Sequence, residues 1–287
     1  MAEREGSTIV RAAVCAGSWY PGNAGALREA VDTYLAGGQP IGDRVRAVVA
    51  PHAGLVYSGA IAGKAYAAVS RQRYDVAVLV GPSHFHRFEG VAVWGYGSFA
   101  TPLGALAVDA GLAADLRALA PVVSERPAVH EREHSLELQL PFLARLFPEV
   151  PILPLLVGHQ QAATVAALGD ALAQVLHGRE PLLVASSDLS HYQDRQTAAR
   201  LDAVVLRHVE RNDPDGLQTS LAADPSHACG GGPMVAVMRA ARGLGGTHAR
   251  VLGYGDSGDV TGDTSRVVGY LSAAFGEFGD GATARPA

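Results

Sequence analysis

The sequence predicts a single α/β domain with a mainly parallel central sheet flanked by helices. Short apolar, β-branched runs alternate with longer segments of helical periodicity, which is the pattern of strands joined by crossover helices. The 287 residues are 48% apolar and 18% charged, so the chain can bury a large core. No linker or shift in composition divides the polar motifs between residues 52 and 229, which favours one domain over residues 7–275.

Six strands and seven helices are expected from these patterns. The strands are predicted at 45–50, 75–80, 152–157, 182–186, 250–254 and 266–271. The helices are predicted at 25–35, 59–70, 108–119, 135–147, 162–177, 197–211 and 233–242. Leu136, Leu140 and Leu143 recur at helical spacing, so one face of the fourth helix should pack on the core. Small and polar residues dominate 276–287, which is predicted to be a disordered tail.

Composition and termini exclude several classes of partner. The net charge of -5 comes without a basic stripe, so nucleic acid is not an expected partner. The first residues lack the basic and apolar regions of a signal peptide, and no apolar run reaches the length of a membrane span. We therefore expect a cytoplasmic protein with no membrane partner. Cys15 and Cys229 are far apart in this setting, and no disulfide is expected.

Three histidine motifs lie shortly after predicted strands. His52, His84 and the Asp188–His191 segment each follow a short apolar run. The carboxyl ends of parallel strands form the crevice where ligands bind in an open α/β sheet. These side chains are therefore expected to converge at one edge. His86 lies two residues after His84 on extended backbone and should point the other way, so His84 is the preferred ligand.

Cys229 precedes a predicted helix that has Pro233 near its first turn. The positive end of a helix favours a thiolate, which is the metal-binding form of cysteine. Two neutral imidazoles and one thiolate form a three-ligand set for a first-row transition metal and leave coordination positions open. The sequence thus predicts a metal site of His52, His84 and Cys229. The alternative for each residue is structural: a hydrogen-bonded loop histidine, or a small buried cysteine.

Other polar residues in these motifs keep more than one interpretation. Asp188 and His191 can act as an orienting carboxylate and a general acid/base, as further ligands, or as an Asx turn. His134 and Glu137 share a helical face, which fits either a site-lining pair or a solvated surface. The histidines without such context are predicted to lie on the surface; they are His130, His159, His177, His208 and His248.

The glycines from Gly253 to Gly258 match a dinucleotide-binding fingerprint in spacing. The residues that follow, 259–264, do not predict a helix, and the pyrophosphate of a dinucleotide needs a helix N-terminus. No organic cofactor site is therefore predicted.

Taken together, the motifs resemble those of the Memo family, which includes protein B of the AmmeMemoRadiSam system. The segments that carry the resemblance are Ala16–Pro21, Ala50–Gly54, Gly81–His84, Glu133–Glu137, Ser186–His191, Cys229–Gly230 and Val268–Tyr270. The resemblance implies a fold like that of the class III extradiol dioxygenases, which bind non-haem iron(II) through two histidines and one carboxylate. It also implies metal ligands at His52, His84 and Cys229, with Asp188 and His191 in the same pocket.

One departure from the dioxygenase pattern affects the expected chemistry. Cys229 stands where those enzymes have a carboxylate, and a thiolate is softer and can itself be oxidised. The leading hypothesis is a redox or oxygenase-like protein that uses iron(II) or copper on an unknown small-molecule substrate. In it, His191 transfers protons, Asp188 orients His191, and His134 contacts substrate. The alternatives are a non-catalytic binding module, with Trp19 and Tyr20 near its ligand, and a role beside a radical-SAM protein, which the family resemblance implies.

Overall fold

Twelve strands and nine α-helices lie within residues 9–278, the part of the chain that the computed structural model describes. The strands are β1 (Val10–Arg11), β2 (Arg44–Ala50), β3 (Val76–Pro82), β4 (Val91–Val93), β5 (Ser98–Thr101), β6 (Gly104–Ala107), β7 (Val123–Glu125), β8 (Ile152–Val157), β9 (Pro181–Ser186), β10 (His191–Gln193), β11 (His248–Asp256) and β12 (Val267–Glu277). The α-helices are α1 (Ala24–Ala36), α2 (Leu55–Val69), α3 (Ala110–Leu119), α4 (Leu140–Leu146), α5 (Ala162–Val175), α6 (Arg195–Glu210), α7 (Pro214–Ala223), α8 (Gly231–Gly243) and α9 (Gly258–Thr261).

Nine of these strands form the central sheet of the described region, in the order β10-β12-β2-β9-β3-β8-β4-β7, with β11 paired to β12. Parallel pairing joins β2, β9, β3 and β8 at the centre of the sheet. Antiparallel pairing joins β12 to β2, β10 and β11, and β4 to β8. The predicted α/β domain with a central sheet flanked by helices is confirmed. Its parallel part is concentrated at the centre, so the whole sheet is mixed.

Both faces of the sheet are covered, which explains why its central strands are apolar throughout rather than alternating. Along β2, Ala47 and Val49 belong to a core cluster shared with α3, α5 and α8. Val48 and Ala50 belong to a second cluster shared with α1, α2 and α4. Successive side chains of a strand point to opposite faces. The sheet is therefore the middle of three layers.

The register of the parallel strands brings three chain segments to one edge. Ala50 at the end of β2 pairs with Ser186 at the end of β9. Val80, near the end of β3, pairs with Ala185. The residues that follow β2, β3 and β9 therefore leave the sheet side by side, as expected for the carboxyl edge of a parallel sheet.

Some predicted elements differ from the observed ones. The helix predicted at 135–147 is a 3-10 turn at Glu137–Gln139 followed by α4, which has Pro141 in its first turn, where a missing N–H costs nothing. Helix α7 was not predicted, since Asp213–Gly216 also fits a turn. A helix of one turn, α9, begins at Gly258, where none was expected.

The end of the domain lies beyond its predicted boundary. Strand β12 continues through Gly276 and Glu277, because both pair with β2. The Phe278 side chain is buried against the core. The prediction of a disordered tail is therefore wrong for 276–278, and 279–287 lie outside the described residues, as do residues 7 and 8 at the other end of the predicted domain.

No helix within residues 9–278 combines the length and apolar character needed to cross a bilayer.

Helices α1 and α2 pack closely enough to give a test of the fold. A Cβ atom on Gly63 would collide with the backbone carbonyl of Tyr34, which cannot move without shifting α1. We predict that Gly63→Ala lowers the free energy of unfolding by about 1–2 kcal/mol, because an overpacking cost of about 1–3 kcal/mol exceeds the helix-propensity gain of at most about 1 kcal/mol.

Urea denaturation measures this change, and Gly42→Ala is its matched control. A Cβ atom on Gly42 meets nothing within 4 Å. Wild-type stability in Gly63→Ala would contradict the packing of α1 on α2.

Candidate metal centre

Two histidines and one cysteine meet at the carboxyl edge of the sheet. His52 follows β2, His84 follows β3, and Cys229 precedes α8. One ligand atom from each of these residues lies within 4.8 Å of the other two. The Cys229 Sγ atom is 3.2 Å from His52 Nε2. These are the three residues that the sequence predicted as ligands.

The tautomer of His52 follows from the groups behind it. His52 Nδ1 is 3.0 Å from Ser186 Oγ. That hydroxyl donates its own hydrogen to the carbonyl of Ser135 at 2.5 Å and accepts from Gln139 Nε2 at 2.8 Å. Ser186 can therefore only accept from the imidazole, so Nδ1 carries the proton. The Nε2 lone pair of His52 faces the sulfur.

Gln139 is itself fixed in orientation. Its Oε1 atom accepts from the Tyr66 hydroxyl at 2.9 Å, and its Nε2 also donates to the carbonyl of Pro51 at 3.0 Å. Both Gln139 and Ser186 are fully buried. The sequence analysis assigned no role to either residue. The signal in the sequence was a glutamine and a serine among apolar residues, because a polar side chain that is buried needs a hydrogen-bond partner.

His84 is oriented by a carboxylate. Its Nδ1 atom lies 2.9 Å from Glu133 Oε1, and its backbone N–H donates to Glu133 Oε2 at 2.6 Å. Burial would raise the pKa of Glu133, but the hydrogen bonds from His84 and Ser135 outweigh it and lower that pKa to about 2. An ionised carboxylate on Nδ1 leaves the Nε2 lone pair of His84 free and makes it more basic. Glu133 belongs to the segment Glu133–Glu137, but no role was predicted for it from the sequence.

Burial keeps the His52 imidazole neutral. It holds the pKa of His52 well below its usual value, and His84 and His134 lower it further. Metal ligation requires neutral imidazole, so His52 does not have to lose a proton at physiological pH.

The thiol of Cys229 behaves differently from the prediction. Helix α8 begins two residues later, as expected. Nevertheless burial, followed by the charge of Asp188, raises the pKa of Cys229. Two of the N–H groups at the helix start donate to other side chains: Gly230 N–H donates to Ser187 Oγ and Gly232 N–H to Gln160 Oε1. The helix N-terminus alone does not produce a thiolate here, and a bound cation is needed to do so.

The spacing of the donor atoms fits a transition metal. Metal–sulfur and metal–imidazole bonds of about 2.3 and 2.0 Å at a tetrahedral angle place the sulfur and nitrogen about 3.5 Å apart. The 3.2 Å between Cys229 Sγ and His52 Nε2 is close to this value. Imidazole nitrogen and cysteine sulfur are also the ligand types that transition metals such as iron, copper and zinc prefer.

His134 lies beside the ligand group in a column of rings. Its imidazole stacks on His84 with centroids 4.4 Å apart, and its centroid is also 4.4 Å from that of the Trp19 ring, which is tilted by 37° to it. Burial lowers the pKa of His134 to about 4. The predicted partner on its helical face is elsewhere: Glu137 is fully buried and binds Arg11, the N–H of Cys15 and the Tyr20 hydroxyl. Glu137 therefore neither lines the site nor lies on a solvated surface, which were the two interpretations proposed for this pair.

Asp188 and His191 lie near the ligands, but no hydrogen bond joins them, so the prediction that Asp188 orients His191 is wrong. Asp188 Oδ1 accepts from the backbone N–H groups of His52 at 2.7 Å and Ala53 at 3.3 Å. His191 Nδ1 lies 2.8 Å from the carbonyl of Leu189, which therefore orients the ring. Asp188 is thus a positioning residue for the His52 backbone, because its carboxylate satisfies two N–H groups where β2 ends.

Buried charges anchor the N-terminal segment behind the site. Arg11 pairs with Glu137, and both are buried. The Arg11 guanidinium also donates to the carbonyls of Glu133 at 2.6 Å and His130 at 3.0 Å. His130 was predicted to lie on the surface, but it is only 1% exposed because this cluster encloses it. His159, His177 and His248 are exposed as predicted, whereas His208 is half-buried and binds Asp213.

Comparison with known proteins gives consistent matches over most of the chain. A family model described as "Memo-like protein" matches residues 11–274. A "MEMO1 family protein" of Nitrosopumilus maritimus is 34% identical over 274 residues, which are 93% of this chain and 100% of that protein. Those of Thermotoga maritima and Aeropyrum pernix are 36% and 37% identical, and cover 87% and 80% of this chain and 87% and 83% of their own lengths.

A solved structure supports the fold. The crystal structure of an uncharacterised protein from Escherichia coli K12 matches with a TM-score of 0.54 and 18% identity, covering 81% of this chain and 100% of that one. At this level of identity the likeness concerns the fold alone.

The buried His130 gives a prediction about pH. Burial lowers its pKa to about 3, below the value of about 6.5 in an unfolded chain. The unfolded state therefore binds the proton first, and stability falls as pH drops from about 6.5 towards 3, by at most about 1.4 kcal/mol per pH unit. We expect the wild type to lose more unfolding free energy between pH 7 and pH 4 than His130→Gln does.

His177 is exposed, so His177→Gln is the control. Its unfolding free energy should depend on pH as that of the wild type does. A wild-type loss equal to that of His130→Gln would show that His130 is protonated as easily in the folded protein as in the unfolded chain.

Proposed function

This chain belongs to the family of Memo-like proteins, and we propose that it is a metal-dependent redox protein that holds iron or copper between His52, His84 and Cys229. The observation that carries this proposal is the convergence of two imidazoles and a thiol whose partners leave both Nε2 lone pairs free. Three protein ligands leave room for a small molecule on the ion.

The donor set supports iron or copper over the hard cations. A thiolate with two imidazoles suits copper, zinc and iron, whereas magnesium and calcium prefer oxygen ligands. Iron or copper, when bound, supplies one-electron redox chemistry and the activation of oxygen. The protein residues around the site then bind and orient the substrate and handle protons.

His191 is proposed to carry the proton transfer. Its Nδ1 is held by the Leu189 carbonyl, so Nε2 is left to exchange a proton, and the side chain is half-buried. It lies close enough to the ligands to lower the pKa of His52. The neutral His134 is proposed to contact substrate, because its ring lies between Trp19 and His84. The link to a radical-SAM protein stays a prediction.

Metal content tests the proposed ligands. Protein purified without oxygen and loaded with iron(II) or copper(I) should bind about one ion per chain, measured by elemental analysis after desalting. Cys229→Ala and His84→Ala should each lose most of it, because a two-ligand site on an open edge binds weakly. Cys15→Ala is the matched control, since Cys15 is a buried free thiol outside the ligand group.

Circular dichroism separates loss of ligand from loss of fold in these variants. Full metal retention in folded Cys229→Ala and His84→Ala would defeat the proposal.

The carboxylate behind His84 should tune affinity without binding the ion. We predict that Glu133→Gln weakens metal binding by about 10- to 100-fold, because the neutral amide no longer raises the basicity of the His84 Nε2 atom. Competition with a chromophoric chelator measures the affinity. Glu131 is exposed, so Glu131→Gln is the control and should keep wild-type affinity. If Glu133→Gln binds the metal as tightly as Glu131→Gln does, the Glu133 carboxylate does not tune the affinity.

A further inference from the structure

A cavity of about 490 Å³ opens beside the metal-ligand group. Its wall includes Ala53, the residue after His52, and Trp19, whose ring centroid is 4.4 Å from that of His134. The volume is in the range of small-molecule sites. A molecule in this cavity would lie beside Ala53, one residue from the proposed ligand His52. On its other side it would lie beside Trp19, at the end of the row of rings formed by Trp19, His134 and His84.

Exposed aromatic side chains line this cavity. Trp19 is 40% exposed, Tyr57 43% and Tyr192 63%. Large aromatic rings usually lie in the core, and three left open around one cavity provide flat surfaces on which a planar ligand can stack. The sequence had singled out Trp19 together with Tyr20, but Tyr20 is buried and binds Glu137.

Tyr192 is held towards the cavity by an irregular backbone. Its φ of 59° is in the left-handed region, which few residues other than glycine adopt. The pairing of β10 with β12 shifts register between His191 and Gln193, on either side of Tyr192. A bulge of this kind redirects a side chain away from the sheet. The fold thus keeps a large aromatic ring at the cavity at a cost in backbone conformation.

One cation lies in the wall. Arg266 is exposed, and its guanidinium carbon is 5.5 Å from the centroid of the Tyr192 ring. Apart from Arg266, the described lining residues are apolar, aromatic, glycine or hydroxyl-bearing, so the wall itself offers this cation no carboxylate. Asp263, three residues earlier in the chain, accepts hydrogen bonds from Ser265 at its Oδ1, and these lower its pKa. The charge of Arg266 lies near enough to lower that pKa further, but no ion pair joins Asp263 to Arg266. The guanidinium can therefore pair with an anionic group of a ligand.

We propose that this cavity binds a flat aromatic carboxylate, with its ring between Trp19 and Tyr192 and its carboxylate on Arg266. A single guanidinium matches the charge of one carboxylate, whereas a phosphate dianion would keep an uncompensated charge. The assignment of such a molecule as substrate rests on the proposed function. Its binding does not, because none of the three metal ligands lines the cavity.

Calorimetry on protein stripped of metal tests this site, so the result does not depend on metal binding. The probes are benzoate and 2-naphthoate, with 2-naphthamide as the uncharged aromatic and cyclohexanecarboxylate as the saturated anion. We expect saturable binding of 2-naphthoate at one site per chain, and binding at least tenfold weaker for the amide and the saturated anion.

Variants locate the site. Arg266→Gln and Tyr192→Asn should each weaken 2-naphthoate binding at least tenfold; asparagine tolerates the left-handed backbone and removes only the ring. Arg250→Gln is the matched control, because Arg250 also stacks on an aromatic ring, that of Phe278, away from this cavity. Failure of both aromatic carboxylates to bind at millimolar concentration, or wild-type binding by Arg266→Gln, would overturn the proposal. Loss of metal binding alone would not.

Discussion

The hydrogen bond between His52 Nδ1 and Ser186 Oγ decides what the site can do. The serine has already given its hydrogen to the Ser135 carbonyl, so the imidazole must donate. With the proton on Nδ1, the Nε2 lone pair faces the Cys229 sulfur at 3.2 Å. The opposite tautomer would turn an N–H towards the sulfur and could not ligate an ion.

Further hydrogen bonds fix the other residues of the site in the same way. Glu133 fixes His84 as Ser186 fixes His52, and Asp188 holds the backbone on which His52 sits. The buried Arg11, in strand β1, donates to the backbone carbonyl of Glu133. Strand β1 therefore supports the loop that carries the Glu133 carboxylate. A buried ion pair such as Arg11 with Glu137 contributes little net stability. Its geometry instead supports a role in holding the loop in one position.

Sequence reasoning found the elements and residues that depend on local pattern. The apolar runs of β2, β3, β8 and β9 gave the central strands, and the polar residues after them gave the ligand group, because strand ends converge in any parallel sheet. It did not find β4 and β7, which are three residues long and pair with strands far away in the chain, nor the short hairpin of β5 and β6. Glu133 and His130 were missed for a related reason: their burial comes from Arg11 and the N-terminal segment, more than a hundred residues away.

X-ray absorption on iron-loaded protein prepared without oxygen tests the central claim most directly. The account predicts one sulfur scatterer at about 2.3 Å and the outer-shell scattering of imidazole, with the sulfur lost in Cys229→Ser. A wild-type spectrum with oxygen and nitrogen neighbours only, unchanged in Cys229→Ser, would contradict a centre built from two imidazoles and this thiolate.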